Sequence, residues 1–144
     1  MQIKTDTIIA YARECLGTPY LHQGRLLGLG LDCAGVIAHV AKRLGFEPVE
    51  TPGYSRTPSN GLLELAADTQ EWLYRVHEMQ AGDILMMRFT GDPQHVGIYT
   101  GETLIHSYEG IGRVVEHRLD TKWKSRIMRI YRFKGAPVVS EVEP

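Results

Sequence analysis

The chain has 144 residues, 43% of them apolar, enough for one hydrophobic core and too few for two ordinary domains. Its formal charge of -1, with acidic and basic residues interspersed, offers no basic patch, so neither nucleic acid nor a membrane surface is an expected partner. No segment approaches the ~20 apolar residues of a bilayer span, and MQIKTDTIIAYAREC lacks an apolar signal core, so synthesis in the cytosol without a signal peptide is expected.

In chain order, Thr5 or Asp6 is expected to cap a first helix in which Ile8, Ile9, Ala12, Cys15 and Leu16 share one face. Gly17 and Pro19 end it. TPYLHQGRLLGLG, with three glycines and no helical period, reads as an ordered surface loop. From Asp32 the apolar positions Val36, Ile37, Val40, Ala41 and Leu44, followed by Gly45, predict a helix of about three turns with both ends marked. The proline-rich EPVETPGYSRTPSNG is a loop, and a third helix is expected from about Gly61 to Tyr74.

After Gln80 the pattern changes to short β-branched and aromatic runs, DILMMRF, HVGIYT, TLIHSY, RVVEHRL and RIMRIYRF, spaced as an antiparallel meander. GAPVVSEVEP reads as a loose tail. Helices first and strands afterwards give an α+β class, with the helices packed on one face of a C-terminal antiparallel sheet of about five to six strands. One domain is expected over 1–135 and a tail over 136–144.

Two cysteines make no disulfide framework and no CxxC pair, so Cys15 and Cys33 are expected to be thiols. Cys33 falls in the apolar stripe of the second helix, at its first turn, where free amides and the positive helix end stabilise a thiolate. The Asp32 carboxylate opposes that effect while capping the helix, so a nucleophilic Cys33 requires a histidine partner. Position alone leaves the other reading open, a small buried hydrophobe. Cys15, near a helix C-terminus, has no such help.

Gly101-Glu102 fits a two-residue turn with glycine first. If Thr100 pairs with Thr103, His106 lies opposite Gly97 and His95 opposite Tyr108, so both rings share one sheet face as diagonal neighbours. One imidazole can then take the thiol proton while the other orients it; a plain polar strand face is the competing reading. His22, His39, His77 and His117 lack such a setting: His39 points away from Cys33, and His117 sits in the charged run EHR and is expected in solvent. Ligand-pair spacing for zinc is missing, so no metal and no cofactor is expected. Tyr20 lies just before the helix, where its hydroxyl can reach a developing oxyanion beside the Cys33 amide; a ring packed at a loop boundary is the alternative.

GTPYLHQGR followed by LDCAGVI, GDILMM, HVGIYTG and LIHSYEG resembles the NlpC/P60 cysteine peptidases, and PYLHQGR is similar to the subgroup associated with phage tails. The resemblance runs from Ile8 to about Phe133. It implies a papain-like α+β fold and hydrolysis of peptidoglycan stem peptides, commonly the D-γ-glutamyl-diaminopimelate bond. It places the nucleophile on Cys33, the base on His95, the third polar residue on His106, the oxyanion tyrosine on Tyr20 and a supporting aspartate on Asp32. Implied partners are stem peptides and phage tail proteins, with a virion-associated location. DCAG stands where DCSG is usual, and GRLLGLGL replaces a compact double-glycine turn, a change expected to reshape the substrate groove. A non-catalytic virion or wall-binding module and a thiol acyltransferase are the alternative functions.

Overall fold

Amphipathic spacing and a proline-glycine exit produce the first element, α1 (Thr5–Arg13), which buries Ile8, Ile9 and Ala12. Lys4 occupies the cap position without a side-chain bond, so Thr5 and Asp6 fall inside the first turn rather than capping it. The acidic Asp6 still sits at the positive helix end. The computed structural model describes residues 2–58 and 60–139.

The glycine-containing loop is more regular than its sequence suggests. It folds back as a small hairpin, β1 (Arg25–Leu26) against β2 (Gly30–Leu31), and delivers the chain into α2 (Cys33–Arg43). Asp32 caps α2, its Oδ1 accepting from the Gly35 amide at 2.8 Å. Gly35 is required by a close approach: a Cβ there would stand 2.4 Å from the Gly24 carbonyl oxygen. The hairpin therefore seats directly on the first turn of α2.

The third helix, α3 (Leu62–Thr69), is shorter than the expected 61–74. Gln70 turns extended, with φ -72° and ψ 122°, while its side chain brackets Val49, accepting from the amide at 2.8 Å and donating to the carbonyl at 2.9 Å. That anchor pulls the chain out of the helix, and Leu73–Val76 becomes a strand, β3. Sheet pairing overrides the local helical pattern.

β4 (Ile84–Met87), β5 (His95–Tyr99), β6 (Thr103–Tyr108) and β7 (Arg113–Arg118) form the expected meander. After the short α4 (Thr121–Lys124), β8 (Ile127–Phe133) returns past the first strand of the meander and inserts between β4 and β3. The main sheet is thus six antiparallel strands in the order β3-β8-β4-β5-β6-β7. Arg132 of β8 locks the return: its guanidinium donates to both oxygens of buried Asp83 at 2.8 and 2.9 Å. Of the expected tail, Pro137 and Val139 are hydrogen-bonded to Gln80, and 140–144 lie outside the described residues.

All four residues of β4 are buried, which follows from a sheet covered on both faces. On one face Ile84, Met86, Val96, Ile98 and Ile105 pack with Val36, Ile37 and Val40 of α2 and with Ile8 and Ala12 of α1. On the other, Leu85, Met87 and Leu104 pack against Leu119, Trp123 and Ile127. The N-terminal helices α1 and α2 thus pack on one face, as expected from sequence, and the short C-terminal α4 adds Trp123 to the other.

Candidate active site

Three chain segments converge around the start of α2. The segment before β1 lays Tyr20 in parallel beside Leu31, Ser107 of β6 donates its hydroxyl to the Leu31 carbonyl at 2.6 Å, and Asp32 caps the helix. Cys33 is thereby fixed at the first helical position, partly exposed, on the floor of a groove of about 310 Å³ shared with Tyr20, His22, Arg25, Tyr54 and Val96. Its thiol is pushed up to about 12, by burial first and by the Asp32 charge second. The amides of Val96 and Ala34 and the Arg25 charge act in the opposite direction. The Val96 amide belongs to the residue that follows His95.

Asp32 does more than cap. Its Oδ2 accepts from the Gln23 amide at 2.8 Å and from the Tyr54 hydroxyl, and its Oδ1 also accepts from Arg25 Nη1 at 2.8 Å. Arg25 carries on to the Tyr54 hydroxyl at 2.8 Å and to Glu50 at 3.0 Å. His22 Nε2 meets the Tyr54 carbonyl at 2.9 Å, and Arg56 reaches Glu109 at 3.1 Å. The proline-rich loop is in this way pinned over the groove as its wall. Burial, followed by the charges of Glu109, Asp32 and Cys33, pushes the Tyr20 phenol up, so it is a hydrogen-bond donor at neutral pH.

The register of the β5–β6 hairpin is the one counted from its turn. Gly101 has φ +106°, the Thr100 amide donates to the Thr103 carbonyl at 3.0 Å, and Ile98 pairs with Ile105. The Thr103 amide donates to the Thr100 hydroxyl at 2.9 Å, where a simple turn would use the carbonyl. Gly97 lies beside His106: a Cβ at Gly97 would stand 3.0 Å from the His106 Cβ. His95, the first residue of β5, and His106 are joined, Nε2 to Nδ1, at 2.6 Å, with ring centroids 4.9 Å apart.

Both rings are buried, and burial is the leading cause that depresses their basicity. His95 falls to about 3, helped by the Arg126 charge and by His117, and His106 to about 2, helped by His95 and His117. Phe89, 5.4 Å from His95, and Trp123, 4.9 Å from His106, wall the pair from water. Asp120 caps α4, accepting from the Trp123 amide at 2.9 Å, and so places the indole. The low dielectric favours a neutral thiol and neutral imidazoles at rest.

His117 departs from expectation. It is not free in solvent: its Nε2 meets His106 Nε2 at 2.7 Å, and its Nδ1 meets the Arg118 carbonyl at 2.9 Å. Strand alternation held the signal, since 117 lies two positions beyond Val115, the partner of His106 in β7. His39 instead binds Glu14 at 2.9 Å, far from Cys33. Cys15 is buried, and burial with the Glu14 charge raises it to about 12, as suits a core thiol. Arg25, His22 and Tyr54 were not singled out by sequence, because their roles depend on the loop folding back.

The fold has solved counterparts. The NlpC/p60 domain of the peptidoglycan hydrolase SagA superposes with a TM-score of 0.63 at 22% identity, covering 89% of this chain and 97% of that one. An NlpC/P60 family protein from Bacillus cereus gives 0.67 at 22% identity over 92% of this chain, and NlpC2 from Trichomonas vaginalis gives 0.64 at 16% over 90%. The chain spans 41% and 46% of the lengths of those two proteins. At these identities the likeness is one of fold. The family model described as NlpC/P60 matches residues 17–132, from the segment that carries Tyr20 through Cys33 and the histidine hairpin to β8, and the chain belongs to that family.

Proposed function

We propose that the protein is a cysteine peptidase that hydrolyses peptidoglycan stem peptides, with Cys33 as nucleophile, His95 as base and His106 as its orienting partner. The observation that carries this reading is a helix-start thiol that accepts from the amide of Val96, the residue following His95, whose buried ring is hydrogen-bonded to His106. Family membership and the likeness to the domain of a peptidoglycan hydrolase support the substrate class.

In this mechanism the thiol proton passes to His95 as sulfur forms a bond to the scissile carbonyl carbon. The resulting oxyanion is met by the Cys33 amide and the Tyr20 hydroxyl. The C–N bond then breaks, and the leaving amine takes the proton from the His95 imidazolium. Water, deprotonated by His95, attacks the thioester; the C–S bond breaks and the thiol is restored. Asp32, saturated by four donors, holds the groove wall and carries no proton in this cycle.

The proposed bond is that between D-γ-glutamate and diaminopimelate, and the proposed setting is a phage tail, on the strength of the PYLHQGR likeness. Mass spectrometry of purified muropeptides incubated with the wild-type and Cys33→Ala proteins tests the reading. Products split at that bond by wild type alone support it; equal cleavage by Cys33→Ala overturns it.

A further inference from the structure

We propose that His117 is a positioning residue, the far end of a one-way hydrogen-bond chain that fixes His95 in the tautomer with an unprotonated Nδ1. The proposal rests on reading His95 as the base. It concerns three rings and one carbonyl, linked as His95 Nε2 to His106 Nδ1 at 2.6 Å, His106 Nε2 to His117 Nε2 at 2.7 Å, and His117 Nδ1 to the Arg118 carbonyl at 2.9 Å.

A carbonyl oxygen only accepts, and a neutral imidazole has one N–H and one lone pair. His117 must therefore place its proton on Nδ1, which leaves its Nε2 as an acceptor. His106 must then donate from Nε2 and accept at Nδ1. His95 must donate from Nε2, and its Nδ1 is left as the one nitrogen able to take the thiol proton. Direction at the far end is thus converted into a tautomer at the near end, two rings away. Trp123 holds the arrangement, with its ring 4.9 Å from His106 and 5.2 Å from His117. Burial keeps His95 and His106 neutral, the state in which the chain has a single sense.

With only His95 and His106, either sense would satisfy the 2.6 Å contact. The opposite sense puts a proton on His95 Nδ1 and removes the base. Loss of the acceptor at 117 would strand the buried His106 Nε2–H, and an orphaned buried N–H is costlier than a bare lone pair, so the chain would turn around.

The test reads histidine tautomers by long-range 1H–15N correlation in the Cys33→Ala protein without substrate, and kcat in the thiol-bearing protein. With His117 intact, His95 is expected as the Nε2–H tautomer with bare Nδ1. His117→Phe is expected to bring up the Nδ1–H form of His95 and to lower kcat by about 10²-fold or more with KM little changed. His117→Gln, whose amide oxygen can accept from His106, is expected to restore the wild-type tautomer and most of kcat. An Nδ1–H His95 in the His117-intact protein overturns the proposal, as does an unchanged His95 tautomer in His117→Phe, whatever happens to kcat. Because tautomers are read without turnover, this outcome stands apart from whether muropeptides are cleaved.

Discussion

Acidification should destabilise this protein through two of its histidines before its carboxylates matter. His95 and His106 titrate near 3 and 2 in the fold and near 6.5 in the unfolded chain. Between those values the unfolded chain binds protons that the folded chain refuses, so stability is full above about pH 6.5 and is lost as pH falls toward 3. Each ring contributes a slope of about 1.4 kcal/mol per pH unit. From about pH 7.5 to about pH 4.5 that amounts to roughly 2.7 kcal/mol per ring and roughly 5 for two independent rings. A domain stable by about 5–15 kcal/mol would lose a large part of its margin. Glu14, held down to about 2 by its hydrogen bonds to Arg43 and His39, loses its contribution only at more acid pH, and Cys33, raised to about 12, stays protonated throughout. Urea unfolding across this range, followed by Trp72 and Trp123 fluorescence, reads the slope. His106→Gln should roughly halve it. A stability flat between pH 7 and pH 5, or an unaltered slope in His106→Gln, would refute the reasoning.

Three substitutions probe other parts of the structure. Tyr20→Phe should lower kcat on the order of 10²-fold while leaving the urea midpoint unchanged, as expected for removal of one oxyanion donor. Arg132→Met leaves the buried Asp83 carboxylate unpaired and should cost about 3–5 kcal/mol in urea unfolding, with much of that recovered when Asp83→Leu is added. Gly35→Ala places a Cβ 2.4 Å from the Gly24 carbonyl oxygen. It should destabilise by about 1–3 kcal/mol and lower activity by shifting the hairpin that seats the α2 start.

What sequence made legible was local. Asp32 as cap, Cys33 at the first helical turn and the hairpin register through Gly101 each depend on residues a few positions apart, and the His95–His106 contact follows from that register. Features made by distant segments stayed hidden. LYRV reads as a continuation of a helix until β8 arrives to pair with it. The Asp83–Arg132 lock spans 49 residues, so neither partner announces the other. Arg25 and Tyr54 meet at Asp32 only after the proline-rich loop folds back. His117 sits between two charged residues, and its membership of the histidine chain needed the β6–β7 register as well as the alternation along β7. Chemistry carried by neighbours in sequence was readable; chemistry carried by the return of a strand or a loop was not.

The most direct test of the account is rapid-quench intact-mass analysis of the protein mixed with a muropeptide. The account predicts a transient adduct on Cys33 with the mass of the acyl half of the cleaved stem peptide, lost to water as product forms and absent in Cys33→Ala. Loss of that adduct to an added amine in preference to water would convert the assignment from hydrolysis to acyl transfer. Turnover that proceeds undiminished in Cys33→Ala, with no adduct at any time, would contradict it.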